Sequence, residues 1–291
     1  MAHYDPTTFT WGSELEWGDI DRTLTIPPHL GEWDYSETDV LNLRHPYAGV
    51  AADPLGKDPP MGGEVKTAPS LCRASQVERV LALKRFFVEE GCAPTVSCMQ
   101  GLHIHVHVPG LMGDIDALHR LTRYIKENQA LFSERVHGWY KDGRMIAGAV
   151  QTLRTSADLM PDWKCDNLLQ AKDFEDFIRI QCCGKDATTR ARPFRYAINT
   201  YNLKHIETIE FRAPRATLDE AQIKDAFEIV ERFVVAALND GPPLTQILQE
   251  KPWNLATFQY YPAHFEAWKS TKHPKSRGKK ERRFIPVTDI K

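Results

Sequence analysis

No segment of this 291-residue chain is apolar over the roughly 18 residues that a membrane-spanning helix needs, so no membrane partner is expected. Met1 to Thr10 lacks a basic segment followed by an apolar stretch, so no secretory leader is expected either. None of the six cysteines (Cys72, Cys92, Cys98, Cys165, Cys182 and Cys183) forms a Cys-x-x-Cys pair. Reduced thiols in a cytoplasmic protein are the expectation for such a chain. Two motifs of phosphate and acyl chemistry are also missing. There is no Gly-x-x-x-x-Gly-Lys loop to cradle phosphates and no Gly-x-Ser-x-Gly elbow to present a nucleophilic serine. Internal repeats and low-complexity blocks are absent, which excludes a solenoid.

What remains is ordinary in amount and uneven in placement. Hydrophobic residues at 42% and charged residues at 26% suit a globular domain with a large core. Between Lys269 and Arg283 stand eight Lys or Arg and one Glu, in a chain whose net charge is −2, so the rest is acidic. The division expected is a single domain over 1–268, with long loops at 18–60 and 139–165, and a basic C-terminal tail over 269–291. A basic tail on an acidic body is a possible contact for nucleic acid, although solvated tails have the same composition.

Three long helices are signalled. One is expected from Ser75, with Glu78 completing a capping box, an apolar stripe of Val77, Val80, Leu81 and Val88, and Gly91 as its stop. A second is expected from Asp114 to Gly138, carrying Ile115, Leu118, Leu121 and Ile125 on one face. A third is expected from Thr217, with Glu220 in the capping position. Its stripe is Ile223, Phe227, Val230, Val234 and Leu238, and Gly241-Pro242 ends it. A shorter helix is expected near 172–181. Strand-like segments lie near 9–17, 62–67, 94–98, 102–108, 194–202 and 205–213. Strands and helices do not alternate strictly, so the expected class is α+β, a mostly antiparallel sheet with helices packed on one face.

Strand periodicity carries the functional reading, because successive side chains point to opposite faces. Over 9–17, Trp11, Ser13, Leu15 and Trp17 share one face, and Gly12, Glu14 and Glu16 share the other. Over 102–108, His103, His105 and His107 line the face opposite Leu102, Ile104, Val106 and Val108. Thr208, Glu210 and Arg212 stand opposite Ile209 and Phe211. Arg195 with Asn199, and Glu64 with Lys66, give two more polar faces. A solvent-exposed face produces such a pattern without any function. Five strands converging would place four carboxylates together, and like charges at close range demand a cation. Carboxylate ligands favour Mg²⁺ or Mn²⁺ over Zn²⁺, and neighbouring arginines point to a phosphate.

In order, Gly12-x-Glu14-x-Glu16, Glu64-Val-Lys66-x-x-Pro69, Gly101-x-His103-x-His105, Arg195-Tyr-x-x-Asn199 and Glu210-x-Arg212 resemble the motifs of the carboxylate–amine ligases, or amidoligases, of the glutamine synthetase and glutamate–cysteine ligase superfamily. The resemblance covers about residues 9–240 and includes phage-type members. It implies a partly closed antiparallel sheet like the glutamine synthetase catalytic domain, holding ATP and two or more Mg²⁺ (or Mn²⁺) ions. It also implies an activity, amide formation between a carboxylate and an amine through an acyl phosphate. By position, Glu14, His103 and Glu210 would hold one metal, and Glu16 and Glu64 another. Arg195 and Arg212, with Glu64, would serve the phosphoryl transfer, and His105, Lys66 and Asn199 would line the nucleotide. Small-molecule or peptide carboxylates and amines would be the substrates. Two other readings stay open: a metal-dependent hydrolase or oxygenase using His103, His105 and a carboxylate, and a binding module that recruits nucleic acid through 269–283.

Overall fold

The computed structural model describes residues 3–18, 20–21, 23–33, 63–94, 96, 101–137, 140–141, 144–145, 158–184 and 196–255. Six strands form one sheet: Thr10–Trp17 (β1), Gly31–Trp33 (β2), Gly63–Thr67 (β3), Leu102–His107 (β4), Ile198–Asn199 (β7) and Thr208–Phe211 (β8). Their order is β2-β3-β1-β4-β8-β7, and every pairing is antiparallel. Tyr140–Lys141 (β5) and Arg144–Met145 (β6) make a separate two-stranded ribbon. Three long helices, Arg73–Glu89 (α1), Ile115–His137 (α2) and Glu220–Leu238 (α6), accompany the sheet. The short ones are Asp162–Leu168 (α3), Phe174–Cys182 (α4), Leu203–Ile206 (α5) and Leu244–Ile247 (α7).

The apolar faces of β1 and β8 meet the helices. Trp17 packs edge-on against Phe87 of α1, with ring centroids 6.2 Å apart, and Trp11 against Phe227 of α6 at 6.1 Å. Phe211 sits between Phe132 of α2 at 5.5 Å and Phe233 of α6 at 5.6 Å. Each aromatic pair contributes about 0.5–1.5 kcal/mol beyond the area it buries. One continuous core runs from Tyr4 to Leu255. The single polar residue on the inner face of β1, Ser13, is answered by the Thr67 hydroxyl at 3.1 Å and the amide of Gln76.

Several expectations change in detail. Helix α1 starts at Arg73 rather than Ser75, because the Ser75 hydroxyl turns to the Cys72 thiol at 3.1 Å inside the first turn. Cys72 is the N-cap and makes no side-chain cap bond. Val88, expected in the buried stripe, is 53% exposed. Helix α6 is capped by Asp219, whose carboxylate accepts from Gln222 N at 2.8 Å, while Thr217 lies ahead of the helix. Among the described residues, the strands in 194–202 and 205–213 are β7 and β8, and the chain turns through α5 between them. The segment 94–98 falls largely outside the described residues, and its described positions form no strand. The sheet is open, with β2 and β7 as its edges among the described residues, so the closure expected from the resemblance is not seen. Strand β2, β5, β6 and the start of α3 lie in the stretches expected to be loops. No helix among the described residues is long and apolar enough to cross a membrane. Residues 269–291 lie outside the described residues.

Candidate metal centre

The face of the sheet opposite the helices collects the polar side chains into ranks set by register. Glu16 is opposite Glu64, and Glu14 is opposite both Lys66 and His103. Gly12 is opposite His105, His105 opposite Glu210, and Glu210 opposite Asn199. Two carboxylates placed directly across a ladder, as Glu16 and Glu64 are, repel each other unless a cation lies between them. A Cβ on Gly12 would lie 3.7 Å from His105 Cβ, an ordinary contact, so glycine there leaves a lane open over the sheet. At Gly101 the space is taken. A Cβ would meet His103 Nε2 at 2.7 Å, so any other residue there would force the ring to shift.

Two trios of candidate ligands result, each with one donor atom per residue lying within 4.8 Å of the others. Glu14, Glu64 and His103 make the first, and Glu14, His105 and Glu210 the second. Glu14 belongs to both. His103 Nδ1 lies 3.0 Å from Glu14 Oε2 and 3.8 Å from Glu210 Oε1, so its ring sits among carboxylates. His105 Nδ1 is within hydrogen-bond distance of Thr208 Oγ1, at 3.1 Å, which fixes the ring. That leaves Nε2 buried without a hydrogen-bond partner, 3.5 Å from Glu14 Oε1. Glu210 is almost fully buried, and the amides of Asn199 and Asn202 both donate to its Oε2 at 2.7 Å. Arg212 Nη1 donates to Oε1 of the same carboxylate.

Electrostatics follow from this crowding. Burial alone would push the Glu14 carboxyl up, but the close His103 and His105 rings outweigh it and hold Glu14 well below the usual carboxylate range. Burial opposes charge on His105, yet its Glu14 partner and the Glu210 charge raise its pKa. Burial also opposes charge on Arg212, and the combined fields of Glu210, Glu14, Glu16 and Glu64 overcome it. One guanidinium therefore lies in the field of all four carboxylates.

No protein-family model matches the chain, and no curated protein matches it.

Of the residues named from sequence, the fold brings Glu14, Glu16, Glu64, Lys66, His103, His105, Asn199, Glu210 and Arg212 onto one face. Arg195 lies outside the described residues. Two trios cut across the sets the resemblance implies, while His103 Nδ1 also stands 3.8 Å from Glu210. His103 goes with Glu14 and Glu64, and Glu210 goes with His105. Glu16 joins neither trio, and its Oε2 accepts from Gly101 N at 2.6 Å. Asn199 is fully buried. Its Nδ2 holds Glu210 and its Oδ1 accepts from Tyr201 N at 2.9 Å, so its place is behind Glu210. His107, at the rim, pairs instead with the exposed Glu207 at 3.6 Å. Sequence reasoning missed Asn202, which reaches Glu210 from the turn entering α5, and Glu32, exposed on β2 opposite Lys66. Glu32 sits in a short strand without alternation to announce it.

Proposed function

We propose that the polar face of the sheet binds Mg²⁺ or Mn²⁺ and ATP, and that the protein is an ATP-dependent carboxylate–amine ligase. The observation that carries this is the pair of ligand trios joined through Glu14. A donor set this rich in acceptors fits hard divalent cations. Glu14, Glu64 and His103 would hold one ion, and Glu14, His105 and Glu210 the other. Bound there, the ions would supply charge neutralisation for phosphate oxygens.

The chain's own groups then divide the work. Arg212, fixed by Glu210, offers a permanent positive charge to a phosphoryl group in transfer. Asn199 and Asn202 hold Glu210 against that pull. The γ-phosphoryl of ATP passes to the substrate carboxylate, giving an acyl phosphate and ADP. An amine attacks the acyl carbon, phosphate leaves with the C–O bonding electrons, and the amine loses a proton. No protein nucleophile is required, which agrees with the absence of a nucleophile motif.

Calorimetry of ATP binding in Mg²⁺, repeated in Mn²⁺, tests the reading. The native chain is expected to bind and Glu210→Ala is expected to lose turnover while keeping its fold by circular dichroism. Absence of ATP binding to metal-loaded protein would falsify it. The carboxylate shared between two trios also suits a metal-dependent hydrolase built on His103 and His105. Tightly held Zn or Fe by elemental analysis, with no ATP binding, would select that alternative.

A further inference from the structure

The rank Glu64–Glu16–Gly101 has a fourth member. Gly101 and Arg215 form an antiparallel bridge beyond the end of β8, and Leu102 N donates to Pro214 O at 2.9 Å. The β4–β8 register, with Ile104 opposite Phe211 and His105 opposite Glu210, extrapolates to residue 214 opposite Gly101. The bridge falls on 215, so one extra residue is taken up between Phe211 and Arg215. Such a bulge switches the side of the sheet to which the following residues project. Residues directly opposite in an antiparallel pair share a face. Gly101 shares its face with His103 and Glu16, as the 2.7 Å and 3.6 Å approaches of their atoms to its would-be Cβ show. The bulge therefore assigns Arg215, and not Pro214, to the acidic face.

Its guanidinium is left with donors to spare. Arg215 Nε and Nη1 are buried and have no hydrogen-bond partner among the described residues. Arg212 differs, since Glu210 takes its Nη1. Arg120 also has a buried nitrogen without a partner, but it lies in the helical layer. There Nε caps α6 at Leu238 O, and Asp114 and Asp240 stand 3.9 Å away. Arg215 alone of the three combines buried, unpartnered N–H groups with a backbone position opposite Gly101, at the end of the carboxylate rank.

We propose that Arg215 binds an oxyanion of the substrate at the Glu16 end of the site, through N–H groups that the protein leaves unanswered. A guanidinium recognises carboxylate and phosphoryl oxygens alike. The proposal rests on the ligase reading for the identity of the anion, which is the carboxylate to be activated. That group must lie beside the phosphoryl group held over the two trios, and the Glu16 rank adjoins the Glu14–His103 rank along the same strands.

Side-chain ¹H–¹⁵N spectra of the full-length, arginine-labelled protein in Mg²⁺ test it. The Arg215 Nε–H signal is assigned by its loss in Arg215→Lys, with Arg215→Gln as a second assignment variant if the first fails to fold. Sodium acetate and inorganic phosphate are titrated separately, with chloride at matched ionic strength as the control. The expected result is a saturable shift of this signal with acetate. A saturable shift with phosphate alone keeps the anion site and assigns it to the phosphoryl group. No shift beyond the chloride control with either anion overturns the proposal. ATP calorimetry on the same sample separates the two claims. An acetate shift without ATP binding removes the ligase reading and leaves the site. ATP binding with a silent Arg215 does the reverse.

Discussion

Two clusters of partly buried carboxylates in this protein are built on opposite principles. In the helical layer, Lys251 Nζ bonds both Asp225 and Glu228 at 2.8 Å, and Asn254 Nδ2 donates to Asp225 at 3.1 Å. Arg73 reaches Glu228 at 3.5 Å and Glu231 at 3.2 Å. Each acid there has a cation or an amide facing it. On the sheet, Glu14, Glu16, Glu64 and Glu210 all lie in the field of Arg212, with imidazoles between them. The first arrangement satisfies itself and ties α6 to the segment after α7. The second crowds four acids and two imidazoles onto one face, and the proposed cation would neutralise that crowding. A carboxylate's burial thus says little about its role until its donors are counted.

The largest effect expected from this contrast is a metal response confined to the sheet. Saturating Mg²⁺ or Mn²⁺ at a hundredfold excess over Kd stabilises the native chain by about 2.7 kcal/mol. Glu14→Gln, which removes the ligand common to both trios, abolishes most of that gain in a thermal melt. An unchanged melt of the native chain on adding either ion would break the comparison. Next in size is Lys251→Met, which removes the ammonium that Asp225 and Glu228 share. About 1 kcal/mol is expected, since Lys251 is 35% exposed and solvent screens its pairs. The loss is the same with or without metal in denaturant titrations. It is also pH-dependent with a definite sign. Burial tends to raise the Asp225 carboxyl, but Lys251 and Asn254 outweigh it and hold it below the ordinary 3.8. Its contribution is therefore full above that ordinary value and drains away as pH falls through the lower, folded one. Lys251→Met flattens this acid limb. The smallest effect is Glu16→Gln, which removes a like charge opposite Glu64. Metal-free protein gains about 0.5–1 kcal/mol, read as a higher melting temperature. A loss of stability in that variant would mean that Glu16 is held chiefly by its bond from Gly101 N.

The stripes of α2 and α6 and the two faces of β1 and β4 were legible because helical and strand periods are local. Trp11, Leu15 and Trp17 read as core and are core, and Glu14 and Glu16 read as a polar face and are one. The errors fall where a competing neighbour or the exposed end of an element overrides the expected pattern. Ser75 has the sequence of a cap, but its hydroxyl finds Cys72. Residues 205 and 206 read as the start of a strand, but 203–206 coil into a turn of helix that delivers Asn202 to Glu210. Val88 continues a helical stripe on paper, yet it lies in the last turn of α1, where half of its surface meets solvent.

By itself the sequence determined which side chains share a face within each strand, since alternation needs nothing beyond the backbone of that strand. Strand order, register and the bulge before Arg215 belong to the tertiary structure. These depend on pairings between segments up to a hundred or so residues apart, and slipping one by a single residue reverses the face it presents. For that reason the acids and imidazoles could be named in advance. Which of them meet at Glu14, and that Arg215 joins their rank, was decided only by the folded sheet.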